Sequence, residues 1–106
     1  MTDLEITKLC AEAMGIKISF TSAKTHFFVY HPMEEVLPLF KAYAPLYDDE
    51  QAMALVKKFH LYIYPRGPEP RQYTEWQVSI QSGISGFAAD LNRAICECVA
   101  KTQQVR

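Results

Sequence analysis

The chain has few of the residues whose spacing would announce a chemistry. Its three cysteines, Cys10, Cys96 and Cys98, are an odd number without CxxC spacing, so neither a disulfide framework nor a zinc ribbon is built on them. The four glycines form no phosphate-cradling run. No apolar stretch approaches the roughly 18 residues needed to cross a bilayer, and the first residues lack the basic start and long apolar run of a leader. A soluble protein of the reducing cytoplasm, without membrane partners, is expected. Charge of one sign is missing too. Eleven Lys and Arg face twelve Asp and Glu, a net charge of -1, which provides no field to collect nucleic acid through counterion release and excludes general nucleic-acid binding.

What is present is ordinary globular material: 49% hydrophobic and 22% charged residues over 106 positions, enough for one core without metal or disulfide staples. A single α+β domain over residues 1–106 is predicted, with a frayed polar tail at 102–106. Thr2 and Glu5 have capping-box spacing and open a first helix that Gly15 closes. Ile16, Ile18 and Phe20 alternate with Lys17 and Ser19, and Thr25 to Tyr30 is β-branched and aromatic, which together predict a hairpin. Between His31 and Tyr47, Pro32, Pro38 and Pro45 leave room only for an ordered connection with a helical turn.

Asp48 and Asp49 precede Ala52, Leu55, Val56 and Phe59, one apolar face of a second helix, with Lys57 and Lys58 at its negative end. Leu61 and Ile63 point one way and Tyr62 and Tyr64 the other, after which Pro65, Gly67, Pro68 and Pro70 end regular pairing. Trp76, Val78 and Ile80 alternate with Glu75, Gln77 and Ser79 as a half-buried strand. Ser82 to Gly86 reads as a turn and Phe87 as a short extended piece. Asp90 caps a last helix with Leu91, Ala94, Ile95, Cys98 and Val99 on one side. The predicted order is α-β-β-α-β-β-α, a four-stranded, mostly antiparallel sheet with helices packed on it.

Two stretches carry a resemblance. The run Ala44-Pro45-Leu46-Tyr47-Asp48-Asp49-Glu50-Gln51-Ala52-Met53-Ala54-Leu55-Val56, then a lone Trp in a strand, then Asp90-Leu91-Asn92-Arg93-Ala94-Ile95-Cys96 resembles the small bacteriophage proteins of the phage ABA-sandwich domain family. The likeness covers about the second half of the chain; the aromatic hairpin and the proline-spaced connection fall outside it. It brings no active-site motif, and it implies a phage or prophage accessory protein working in a host bacterial cell, by take-over, inhibition of a defence system or capture of a defence signal.

Most of the chemically suggestive residues have plainer roles. Cys96 and Cys98, two apart on a helix, diverge by about 200° and cannot grip one metal; packed thiols, Cys98 inward and Cys96 nearer the surface, are expected, and no metal or cofactor is implied. His60 suits a helix C-terminus, and Asp48 with Asp49 suits helix capping. Tyr62, Tyr64, Arg66, Arg71, Tyr73 and Trp76 combine flat π-faces with guanidinium groups around one hairpin. That set can stack a base and hold a phosphate, or present a protein-recognition patch, or leave Trp76 in the core with tyrosines at a sheet edge. Lys24 and His26 sit near the tip of the first hairpin and join the candidate binding set. Consecutive Phe27 and Phe28 cannot share one strand face, so one needs cover from the connection or from a second copy in a homodimer.

The leading expectation is a non-enzymatic counter-defence binding protein whose partner is a host defence protein or a nucleotide-type small molecule. The competing expectation is a small hydrolase or transferase with a site assembled from His26, Glu34 or Asp49 across the fold.

Overall fold

The Thr2 hydroxyl accepts the Glu5 N–H while the Glu5 carboxylate accepts the Thr2 N–H, the reciprocal cap that its spacing predicts. Helix α1 (Asp3–Met14) follows, and Gly15 closes it at φ 71°, sending its N–H to the carbonyls of Ala11 and Glu12. This computed structural model describes residues 1–16, 18–20, 27–31 and 39–105. After α1 come β1 (Ile18–Phe20), β2 (Phe27–His31), β3 (Leu39–Tyr43), α2 (Asp49–Phe59), β4 (Tyr62–Arg66), β5 (Glu75–Ser79), β6 (Ser85–Ala88) and α3 (Leu91–Gln104).

The class is α+β, and the strands form two antiparallel sheets of three, ordered β1-β2-β3 and β4-β5-β6, in place of the expected single sheet of four. One added strand is β3, where a helical turn was expected. Six residues between Pro38 and Pro45 are too few for a helix to repay its nucleation, whereas β2 offers a ready ladder, with Phe27 opposite Tyr43 and His31 opposite Leu39. The expected first hairpin forms, with Ile18 opposite Val29. The other added strand is β6, where Gly86 was read as part of a turn. Its missing side chain serves a different purpose: a Cβ there would run into the Ala94 carbonyl and the Cys98 amide of α3. Glycine is what lets the helix lie against the sheet.

Helix α3 is the axis of the core. It packs on β5 and β6 on one side and on α1 and α2 on the other. A helix covered on two sides has little exposed surface, so Ala94, Ile95, Cys96, Cys98, Val99 and Ala100 are all buried. Cys96, expected nearer the surface, is 0% exposed because α1 covers that side. Its neighbour Cys10 donates to the Cys96 carbonyl at 3.5 Å, and Cys98 donates to the Ile84 carbonyl at 3.5 Å. The thiols behave as small apolar groups with weak donors. The Cys10 thiol beside it and burial push Cys96 well above the ordinary thiol range, and burial pushes Cys98 up. With Ile6, Leu55 and Val78 these residues form one core cluster, each large side chain contributing about 1.5–3 kcal/mol.

Residues 44–56 and 90–96 are the joints of this core. Pro45 and Leu46 are buried in a turn in which the N–H groups of Tyr47 and Asp48 both reach the Ala44 carbonyl. Gln51 Oε1 accepts the Ala44 N–H at 2.7 Å, and Asp48 caps α2 through the Gln51 N–H. Asn92 donates to Asp49 at 2.7 Å, joining α3 to the start of α2. Arg93 Nη1 donates to Asp3 at 2.7 Å, joining α3 to the start of α1, and is paired with Glu97 one turn on. Asp90 caps α3 by accepting the Arg93 N–H.

Two boundaries differ from expectation. The tail is not frayed from 102, since α3 runs to Gln104 and the Thr102 hydroxyl bonds back to the Cys98 carbonyl at 3.0 Å. Pairing also continues through Pro65 and Arg66, opposite Trp76 and Glu75. Proline is accommodated because β4 is an edge strand.

Candidate functional site

The sheet β4-β5-β6 has one face against α3 and one face open. Strand alternation decides what each carries. Ile63, Val78 and Gly86 form an inward row, and Pro65, Trp76 and Ala88 the next. Outward, Tyr62 stands opposite Ser79, which stands opposite Ser85; Tyr64 stands opposite Gln77, which stands opposite Phe87; Arg66 stands opposite Glu75. Tyr62, Tyr64 and Phe87 are 49%, 46% and 46% exposed, far more than aromatic rings inside a core allow.

The two tyrosine rings are nearly parallel, 20° apart with centroids 6.5 Å from each other. Beside them runs a line of uncharged polar groups. Gln77 Nε2 donates to Ser79 Oγ at 3.2 Å, Ser79 and Ser85 Oγ lie 2.7 Å apart, and Ser85 Oγ donates to the Gly83 carbonyl at 3.3 Å. Since Ser85 spends its proton on Gly83, the line runs in one direction, Gln77 to Ser79 to Ser85. Among the described residues nothing else takes up the second amide N–H or the Oε1 of Gln77, a donor and an acceptor side by side. Rings and polar line border a groove of about 530 Å³ that includes Arg66 at one end and Gln81 and Gly83 at the other.

At the tip of the β4–β5 connection, Glu69-Pro70-Arg71-Gln72 forms a turn closed by the Gln72 N–H on the Glu69 carbonyl, with Arg71 at φ 69°. Proline second and a left-handed residue third make this a type II turn, a position that usually takes glycine. The loop is pinched at its base by the Thr74 N–H on the Arg66 carbonyl at 2.8 Å. Gly67 is obligatory there, since a Cβ would overlap the Gln72 carbonyl.

The residues expected to bind are therefore divided. Tyr62, Tyr64 and Arg66 are brought together on the open face. Tyr73 lines, with Arg66, a separate concavity of about 350 Å³ against the prolines of the loop. Arg71 sits at the turn tip and borders neither. Trp76 faces inward among partly buried residues packed on the core, so it is no part of the surface. Lys24 and His26 lie outside the described residues. Gln77, Ser79, Ser85 and Phe87 complete the face although sequence reasoning did not select them. The alternation around Trp76 already put Gln77 and Ser79 on one side, but only the strand register shows that side to be the tyrosines' side.

Of the residues considered for a hydrolase or transferase, Asp49 is engaged by Asn92, and His26 and Glu34 lie outside the described residues. The described groups with displaced ionisation are Asp3 and Arg93, which stabilise each other's charge at the helix junction, Tyr43, Cys96 and Cys98, which are buried; none borders the groove. Among the described residues no cluster of three His, Cys, Asp or Glu side chains could hold a metal ion, and no helix is long and apolar enough to cross a membrane. No protein-family model, curated protein or solved structure matches the chain.

Proposed function

We propose that this chain is a non-enzymatic binding protein that captures a nucleotide-type small molecule on the open face of β4-β5-β6. In the phage setting that residues 44–56 and 90–96 imply, capture of a signalling nucleotide would serve counter-defence. The observation that carries the reading is the near-parallel pair Tyr62 and Tyr64 beside the uncharged donor and acceptor line of Gln77, Ser79 and Ser85. An aromatic face takes any flat base by stacking, and alanine substitution of such a ring costs about 1–3 kcal/mol per base. The free amide of Gln77 suits a base edge with adjacent donor and acceptor, and the groove volume falls within the range of small-molecule sites. Near-neutral overall charge supports a small ligand over a long nucleic acid.

Thermal melting with a panel of ribonucleosides and their cyclic and linear phosphates tests this. A ligand at about 100 times its Kd adds ~2.7 kcal/mol of stability, and Tyr64→Ala should remove most of that gain without lowering the melting temperature of the free protein. Absence of any shift across the panel, with a host protein complex co-purifying in its place, would replace the nucleotide by a protein target.

A further inference from the structure

We infer that the open-face site selects a nucleotide carrying a single phosphate charge, such as a phosphodiester, over a polyphosphate, and that Glu75 enforces the selection. This rests on the nucleotide reading above and goes beyond it by naming the ligand's charge and the residue that sets it.

Among the described residues, Arg66 is the one charged residue bordering the groove. It follows Tyr62 and Tyr64 at every second position of β4, so a base lying on the rings directs its sugar and phosphate toward the guanidinium. A guanidinium presents a planar fork matched to phosphate oxygens, and this one is available: the ion pairs among the described residues join Arg93 to Asp3 and Glu97, and none involves Arg66.

Glu75 faces Arg66 directly across the ladder. Directly opposed residues of an antiparallel pair have Cβ atoms about 4.5–5.5 Å apart on the same face, so Glu75, although outside the groove's own lining, adds a negative charge beside the guanidinium that would hold a phosphate. One phosphate oxyanion bonded to the fork outweighs that repulsion, whereas the further oxyanions of a triphosphate meet Glu75 with no cation left to them. Lys101, on α3, donates to the Ser85 carbonyl at 3.0 Å and does not border the groove. Arg71 does not border the groove, and Glu69 accompanies it in the same turn.

Calorimetric titration of the whole chain in magnesium-free buffer tests this, using adenosine, guanosine, cytidine and uridine together with their cyclic monophosphates and triphosphates. For the base that binds, the cyclic monophosphate should bind about tenfold more tightly than the triphosphate. Its affinity should fall as salt rises, through screening of the single phosphate contact, while that of the nucleoside should not. Glu75→Gln, a change at an exposed position, should raise triphosphate affinity about tenfold and leave the nucleoside unaffected. Arg66→Gln should lower the cyclic monophosphate to the level of its nucleoside. A triphosphate that binds the wild type as tightly as the cyclic monophosphate, or a Glu75→Gln variant with the same preference, overturns the selection while leaving the nucleotide site standing. Failure of every nucleoside and nucleotide to bind overturns the nucleotide reading itself and the selection with it.

Discussion

Replacing Gly86 with alanine is a severe test of the packing described above, because one methyl group is set against a helix backbone. The added Cβ would overlap the Ala94 carbonyl and the Cys98 amide of α3, atoms that cannot swing aside as a flexible side chain would. Relief requires α3 to lift from β5 and β6, and the same helix also carries the contacts to α1 and α2. Overpacking of a filled core costs about 1–3 kcal/mol, and the rigidity of the obstacle puts this site at the upper end, ~3 kcal/mol. At about 4–8 °C per kcal/mol for a domain of nearly this size, the melting temperature should drop roughly 12–24 °C. Gly83→Ala is the comparison. Gly83 has φ 97° and nothing near its Cβ position, so its replacement costs only backbone strain, about 1–2 kcal/mol. Melts followed by far-ultraviolet circular dichroism would give the order. A Gly86→Ala protein as stable as the Gly83→Ala protein would refute the close helix–sheet approach.

Two further outcomes follow from the core and its edge. The Arg93 guanidinium beside Asp3 holds the Asp3 carboxyl below its ordinary 3.8, so the ionised form is favoured by folding, and the stabilisation is present above pH 3.8 and lost as pH falls through the lower folded value. Since both side chains are more than a third exposed, Asp3→Asn should cost under about 1 kcal/mol at neutral pH, with the gap to wild type closing in urea titrations below pH 3.8; a gap unchanged down to pH 2 would contradict the pairing. The Tyr43 ring is 4% exposed and its hydroxyl has no hydrogen-bond partner among the described residues, while burial pushes its phenol well above the ordinary range. Tyr43→Phe should therefore be neutral or stabilising by up to ~1 kcal/mol; a clear loss of stability would show that the hydroxyl is bonded.

The helices were legible in the sequence because their ends are written in local chemistry. Thr2, Asp48 and Asp90 are the observed N-caps, and Gly15 and His60 the left-handed C-caps. Strands were legible where polar and apolar residues alternate, as from Glu75 to Ser79, and illegible where a single residue has two uses. Gly86 permits a turn as readily as a helix contact, and only the position of α3, set by distant residues, decides between them. Leu39–Tyr43 has no alternation of its own and is made a strand by its partner β2. The candidate site divided in the same way. Tyr62 and Tyr64 declared themselves by their period of two, but their polar neighbours Gln77 and Ser79 became part of one surface through a register fixed across an eight-residue connection whose bends rest on Gly67, Pro70 and Arg71. Asn92 and Arg93 hold helix ends together and lie away from the groove.

The central claim is that Tyr62, Tyr64 and the Gln77–Ser79–Ser85 line together hold a flat, phosphate-bearing ligand. An amide-detected magnetic resonance titration of the isotope-labelled protein with the ribonucleoside cyclic monophosphates tests it most directly. The account predicts saturable shifts centred on Tyr62, Tyr64, Arg66, Gln77, Ser79 and Ser85, abolished in Tyr62→Ala/Tyr64→Ala, with the core of α1 and α3 unmoved. Shifts centred on the helices, or a spectrum that no member of the panel changes, would contradict it.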